Sequence, residues 1–105
     1  MPKREKLYDQ VISDALEHVH IFALRRGIEA GAFNAAFDLG RGPGPHPEHT
    51  LTLTIRASGI VVTGHGIPHD WLSVGTSFID VRYSKRIAEL LQELENKAQV
   101  AGKPI

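Results

Sequence analysis

Residues 50–65 decide the fold, and they read TLTLTIRASGIVVTGH. Over residues 51–55 apolar side chains alternate with threonine, which is the period of a half-buried β-strand. The dipeptide Ser58-Gly59 indicates a turn, and residues 60–65 return as a second strand rich in β-branched side chains. The segment therefore predicts an antiparallel β-hairpin.

Burial decides which residues of the hairpin share a face. A register that sets Leu53 opposite Gly64 collects the apolar side chains on one face and leaves the threonines and His65 on the other. A shift by one residue would mix the two sets, so we expect this parity. Gly64 and Gly66 then lie on the core face, where a missing side chain lets a helix approach the backbone.

The chain before the hairpin has a helical period. Apolar residues recur at three- and four-residue steps over residues 8–23, which predicts an amphipathic helix. Ile21, Leu24 and Ile28 project from the side that is polar earlier in this helix. Either the helix ends near Gly27 and a second one starts, or a partner chain covers the extra apolar face. We expect the break, with a second short helix over residues 28–39.

The chain after the hairpin is ambiguous. Two strands alone are marginally stable in water, so a third is needed or a covering element. Residues 76–83 alternate as a strand would, and we predict a strand there. Ile79 and Tyr83 also continue the apolar stripe of the last helix, however, so a helix is the alternative. We expect that last helix to be capped by Ser84 and to run to about Gln99.

The length and the order of these elements set the fold class. A chain of 105 residues is the size of a single domain. We predict one α+β domain over residues 1–105: an N-terminal helix or helix pair, an antiparallel β-hairpin extended to a two- or three-stranded sheet, and a C-terminal helix packed on one face. A flexible loop is expected at about 38–49, which is rich in glycine and proline, and frayed ends at 1–4 and 100–105.

Composition excludes several classes of function. The chain has no cysteine, so it has no disulfide framework, thiolate zinc site or cysteine nucleophile. Twelve basic residues balance twelve acidic ones, which disfavours a nucleic-acid binder with a clustered positive face. No apolar run approaches the roughly 20 residues that span a bilayer. We expect a soluble, cytoplasmic protein without membrane contact.

Histidine is the sharpest chemical feature of the sequence. The chain has six histidines, and four of them flank the hairpin: His46, His49, His65 and His69. Imidazole is a common ligand of zinc, copper and nickel, so these four are a candidate metal site. Their spacings match no established ligand framework, and His49 is expected to lie in a loop beyond the strand. The alternative is four solvated loop histidines.

Basic residues at the start of the last helix form a second candidate site. Arg82, Lys85 and Arg86 would surround free backbone N–H groups if the helix began at Ser84, which is an arrangement suited to phosphate or carboxylate. If Asp80 is the true cap, Lys85 and Arg86 merely lie along the helix. Together with Arg56, the same cations are the candidate contacts for a nucleic acid.

The predicted order of elements is similar in outline to that of double-stranded-RNA-binding domains and of small ribonuclease toxins with the same fold. The resemblance covers residues 50–98, and its one matching motif is Ser84-Lys85-Arg86 followed by a helix. It implies a nucleic-acid partner. The glycine-preceded histidine expected on the toxins' strand is unmatched, so no catalytic residue is carried over.

These observations rank the possible functions. The first hypothesis is a protein-interaction module, a homodimer or the binder of another protein, that uses Ile21, Leu24 and Ile28 or a sheet edge. A nucleic-acid-binding domain is the second, and a histidine-rich metal-binding protein is the third. An enzyme is disfavoured because no complete set of catalytic groups can be named, and no cofactor is implied.

Overall fold

The computed structural model describes residues 2–40, 48–72 and 80–105. Its elements are helix α1 (Pro2–Arg25), a 3₁₀ turn (Ala30–Ala32), strands β1 (Phe33–Asp38), β2 (Glu48–Ile55) and β3 (Val61–Pro68), the one-turn helix α2 (His69–Leu72) and helix α3 (Val81–Ala101). The three strands form an antiparallel sheet in the order β1-β2-β3. The predicted fold class is confirmed.

One face of the sheet carries the core. Leu51, Leu53 and Ile55 of β2 are fully buried, and the residues between them lie on the other, more exposed face. Both long helices cover the buried face: Val19 of α1 and Ile87 of α3 belong to the same apolar cluster. The hydroxyl group of Tyr83 in α3 donates a 2.7 Å hydrogen bond to the carbonyl of Ala15 in α1, which ties the two helices together.

The predicted face assignment is confirmed for residues 51–55 and 61–65, while the register differs by two residues. Leu53 pairs with Val62, and Leu51 pairs with Gly64. The hairpin closes on a hydrogen bond from the Ile55 N–H to the Ile60 carbonyl, so its loop has four residues and not two. A two-residue shift preserves parity, because successive side chains of a strand point to opposite faces.

The second helix predicted over residues 28–39 is wrong. Gly27, with φ of 81°, lies just beyond the end of α1, as the predicted break requires. The following residues form the 3₁₀ turn and then β1, which is the third strand of the sheet. Phe33 and Phe37 are four residues apart, but with Ala35 they also have the period of a strand. Residues 33–38 form a strand because they pair with the edge of β2 that β3 leaves open.

The strand predicted over residues 76–83 is wrong where it can be examined. Asp80 caps α3, and Tyr83 lies within that helix as a core residue. Residues 76–79 lie outside the described part of the chain. The Asp80 side chain accepts a hydrogen bond from the backbone N–H of Arg82, so the helix begins before the predicted cap at Ser84.

Candidate functional site

His49 is a core residue of β2 and not a loop histidine. It continues the inward alternation of Leu51 and Leu53, and its side chain is fully buried. The sequence-based placement of His49 beyond the strand is therefore wrong, because β2 begins at Glu48. A buried imidazole must find hydrogen-bond partners inside the protein or lose free energy.

A β-bulge brings a second histidine to His49. The pairing of β2 with β3 shifts by one residue between His49 and Leu51, and Gly66 has φ of 69°. A glycine with positive φ is the usual residue of such a bulge. The shift turns Ile67 inward opposite His49 and places His69, the first residue of α2, next to the buried ring. The prediction that Gly66 lies on the core face is wrong, since Gly66 is exposed.

A backbone donor fixes the protons of the histidine pair. The N–H of Gly40, two residues after β1, donates to Nδ1 of His49 over 2.9 Å. Because Nδ1 is the acceptor, a neutral His49 carries its proton on Nε2. That proton is donated to Nδ1 of His69, 3.0 Å away. One directed chain of hydrogen bonds thus joins the exit of β1, β2 and α2.

The surroundings favour the neutral form of both rings. Burial lowers the pKa of His49 below 6.5, and the neighbouring His69 lowers it further. Burial also lowers the pKa of His69, against the opposing effect of Asp70. The cause is the loss of water around a cation, which a buried imidazolium does not recover from another imidazole.

The four histidines of the predicted metal site do not all converge. His65 is exposed on the opposite face, with Nδ1 3.3 Å from the Thr50 hydroxyl oxygen, and His46 lies outside the described residues. Within residues 2–40, 48–72 and 80–105 there is no group of three histidines or carboxylates able to hold a metal. A histidine that binds a metal through Nε2 carries its proton on Nδ1. At His49 that atom accepts from Gly40 instead, so the geometry fits a hydrogen-bonded pair and not a metal ligand.

Arg82, Lys85 and Arg86, the cations of the predicted anion site, do not surround free backbone N–H groups. Asp80 occupies the N-terminus of α3, and its carboxylate also binds Arg82 through Nε at 3.0 Å and Nη2 at 2.7 Å. An acidic cap thus stands where the predicted anion would bind. Arg86 lies along the helix beside Glu89, 3.6 Å away, and Lys85 is exposed on the helix surface.

Arg56 lies at the other end of the molecule. It follows Ile55 at the hairpin loop, near Val61, whose carbonyl accepts from the Lys97 amine at 3.1 Å. Lys97 and Arg82 are fifteen residues apart in α3, which corresponds to about 22 Å of helix. Arg56 and Arg82 therefore do not form one compact basic patch.

Two of the three predicted interface residues remain exposed. Leu24 is 64% exposed and Ile21 is 39% exposed, whereas Ile28 is 5% exposed and belongs to the core. Ile28 is therefore wrong as a surface residue: the break at Gly27 turns the chain back, and the Ile28 N–H bonds to the Ala23 carbonyl. Its role in the predicted interface is lost.

Ile21 and Leu24 lie beside an apolar groove between α1 and the approach to β1. The groove has a volume of about 210 Å³ and is lined by Glu17, His20, Ile21, Leu24, Glu29 and Ala30. The ring of His20 packs on Phe33, the first residue of β1, with 4.9 Å between centroids. Nδ1 of His20 is buried and has no hydrogen-bond partner among the described residues. The groove is thus continuous with the start of β1.

Among the residues that the structure describes, nothing protects the outer edge of β1. Since the Arg56 N–H bonds to the Ala32 carbonyl, the alternation of an antiparallel ladder directs the backbone groups of Asn34 and Ala36 towards β2. The N–H and C=O groups of Phe33, Ala35 and Phe37 point away from the sheet. The strand has no proline, lysine or bulge, which are the usual protections of an edge.

The opposite edge is protected in three ways. Lys97 covers the outward carbonyl of Val61, Gly66 forms a bulge, and Pro68 ends the strand without an N–H group. Natural sheets use all three devices against pairing with another chain. The two edges of this sheet therefore differ in their readiness to pair.

The sequence holds signals for the features that were missed. The alternation of β2 extends back to His49, since residues 49, 51, 53 and 55 are inward and apolar apart from the histidine. That extension predicts a buried ring. The pairing with His69 has no such signal, because it depends on a one-residue bulge at Gly66.

Comparisons with known proteins add no relative. No protein-family model, curated protein or solved structure matches the chain. Among the described helices, none is both long and apolar enough to cross a membrane.

Proposed function

We propose that this chain is a self-associating interaction module whose contact surface is the β1 edge together with the groove of α1. The observation that carries the proposal is the outward row of backbone groups on β1, a strand that has no proline, lysine or bulge of its own. Addition of a strand to such an edge gives affinity through main-chain hydrogen bonds. The adjoining Ile21 and Leu24 supply apolar area beside those bonds.

The order of side chains in β1 argues for a second copy as the partner. A two-fold axis through Ala35 sets Phe33 of each copy opposite Phe37 of the other and Ala35 opposite itself. Large side chains then meet large ones, and the smallest residue lies at the axis. Asp38 is the single charge of the strand, at its last position, and the axis leaves it opposite Ala32. Within the paired strands, no two like charges lie opposite each other.

The groove adds a second reason for association. The buried Nδ1 of His20 lacks a hydrogen bond among the described residues, and such a group costs free energy until a partner satisfies it. Leu24 follows His20 by four residues and so lies on the same side of α1. A second copy paired along β1 brings its own α1 to this side, where the two apolar surfaces cover each other.

Proline at the edge is the direct test. The N–H of Ala35 points away from β2, so Ala35→Pro removes one N–H donor from each copy, which is two bonds of the intermolecular ladder, and none of the chain's own sheet. The matched control is Thr63→Pro, because the N–H of Thr63 points outward from the protected edge of β3 in the same way. In sedimentation equilibrium we expect the parent and Thr63→Pro to be dimers and Ala35→Pro to be a monomer.

Charge on the groove is the second test. Leu24→Asp is expected to weaken the dimer at least tenfold, because it places a carboxylate in a closed apolar contact. Val81→Asp is its control, since Val81 is 80% exposed on α3, away from the groove. A monomeric parent protein contradicts the proposal. If Thr63→Pro dissociates the dimer and Ala35→Pro does not, the contact lies at β3, and this result also contradicts the proposal.

A further inference from the structure

We propose that His49 and His69 form a proton-sensitive latch, which holds the exit of β1, β2 and α2 together while both rings are neutral and opens when the pair takes up a proton. The latch consists of Gly40, His49 and His69. It acts within one chain and does not depend on the proposed self-association.

The geometry leaves the pair no place for an added proton. Nδ1 of His49 accepts from the Gly40 N–H at 2.9 Å, and Nδ1 of His69 accepts from Nε2 of His49 at 3.0 Å. A proton on either acceptor sets two N–H groups against each other. Protonation of His69 accompanied by a tautomer change of His49 only moves the conflict to Gly40. Every charged form of the pair therefore loses one hydrogen bond of the chain.

Gly40 lies so close to β2 that it can relieve this conflict only by moving away from that strand. A side chain at this position would overlap the backbone carbonyl of Glu48, so the main chain of Gly40 lies directly against β2. The ring of His49 is fully buried and also contacts Phe37 edge-on, with 6.3 Å between centroids. A proton must therefore either stay out or open the contact between the exit of β1 and β2.

Among the described residues, the carboxylate of Asp70 does not offset the conflict. Asp70 favours the protonated form of His69, yet burial has the larger effect and the pKa of His69 is lowered. Asp70 also acts on Arg82 of α3. Apart from the pair itself, the titratable groups of the described strands and of α2 are Asp38 of β1, Glu48 of β2, His65 on the outer face of β3 and Asp70 of α2.

The direction of the pH effect follows from the lowered pKa of each ring. The unfolded chain takes up protons near pH 6.5, while the folded pair resists them until a lower pH. Stability is therefore full above pH 6.5 and falls as the pH drops towards the folded pKa values. For each excess proton that the unfolded chain binds, the unfolding equilibrium constant rises about tenfold for every unit by which the pH falls.

Imidazole NMR tests the latch in the intact chain. At pH 7.5 we expect His49 and His69 to carry their protons on Nε2, and we expect the Gly40 amide signal to shift together with both rings on acidification. A proton on Nδ1 of His49 at pH 7.5 would overturn the proposal. So would rings that titrate near pH 6.5 without a change at Gly40, or zinc bound at Nε2 of His49.

Paired variants separate the latch from ordinary histidine titration. His69→Asn keeps an acceptor for His49 but cannot be protonated, so unfolding between pH 6.5 and 5 should take up about one proton fewer than in the parent. His65→Asn removes an exposed histidine from the opposite face and should leave most of that proton uptake unchanged. Equal loss of uptake in both variants contradicts the latch.

Discussion

At the scale of the residue, Gly64 shows how closely α3 approaches the sheet. A Cβ atom at this position would lie 2.6 Å from Cδ1 of Leu90, which is 1% exposed and therefore has little room to move. The sequence-based expectation that a helix approaches the backbone at Gly64 is confirmed. The same expectation failed at Gly66, because the bulge reverses the parity of the residues that follow it.

Gly64→Ala is expected to lower the free energy of unfolding by about 1–3 kcal/mol, the usual cost of an extra methyl group in a packed core. Gly31→Ala is the control, since a Cβ atom at Gly31 meets nothing within 4 Å. Urea unfolding of both variants measures the difference. In a Leu90→Ala background the same change should cost less, and an unchanged cost would contradict the contact with Leu90.

At the scale of the element, the sequence shows the period of a segment more clearly than it shows whether that segment is a helix or a strand. Residues 33–37 satisfy both the helical and the strand period, since Phe33 and Phe37 are four apart and Ala35 lies between them. A local pattern does not decide between the two. The deciding contact is the ladder between β1 and β2, and its formation depends on residues 51–55, which are distant in the sequence.

The start of α3 was ambiguous for a related reason. Tyr83 fits the alternation of residues 76–83 and also the stripe of the last helix, and the helical cap at Asp80 decides in favour of the stripe. Asp80 is the alternative cap in the sequence, and a carboxylate at that position satisfies orphan N–H groups of the helix. The anion site hypothesis depended on the opposite choice, so it lost its basis with the cap.

The cap predicts the effect of changes at Asp80. Asp80→Ala removes the acceptor of the Arg82 N–H and should lower the free energy of unfolding by about 0.5–2 kcal/mol. Asp80→Asn keeps a capping oxygen and should lose less. Chemical denaturation at pH 7 compares the two, and equal stability of Asp80→Ala and the parent would contradict the cap.

Protonation of Asp80 in acid should also lower the free energy of unfolding. Hydrogen bonds from the Arg82 side chain lower the pKa of Asp80 from 3.8 to about 2. The stabilisation is therefore full above pH 3.8 and is lost as the pH falls through about 2. In Asp80→Asn this part of the acid sensitivity should be absent, which acid titration of the unfolding midpoint measures.

At the scale of the whole molecule, the buried face of the sheet and its two edges have separate roles. The alternation in β2 determines which face is buried, and this is why the fold class was predictable despite two wrong elements. The edges were not predictable, because their exposure depends on the strand order β1-β2-β3. That order leaves β1 beside the groove of α1, which is the surface that the proposed self-association uses.

A dimer makes the thermal stability depend on concentration, since association stabilises the folded chain by mass action. A tenfold rise in concentration adds about 1.4 kcal/mol per dimer, which for two chains of 105 residues raises the midpoint of thermal unfolding by about 3 °C. The expected shift belongs to the parent and to Thr63→Pro. Ala35→Pro should unfold at one temperature whatever the concentration, because a monomer has no association term. Differential scanning calorimetry over a hundredfold range of concentration resolves the two behaviours. A midpoint of thermal unfolding that does not change with concentration in the parent would contradict the pairing of the β1 edge with a second copy.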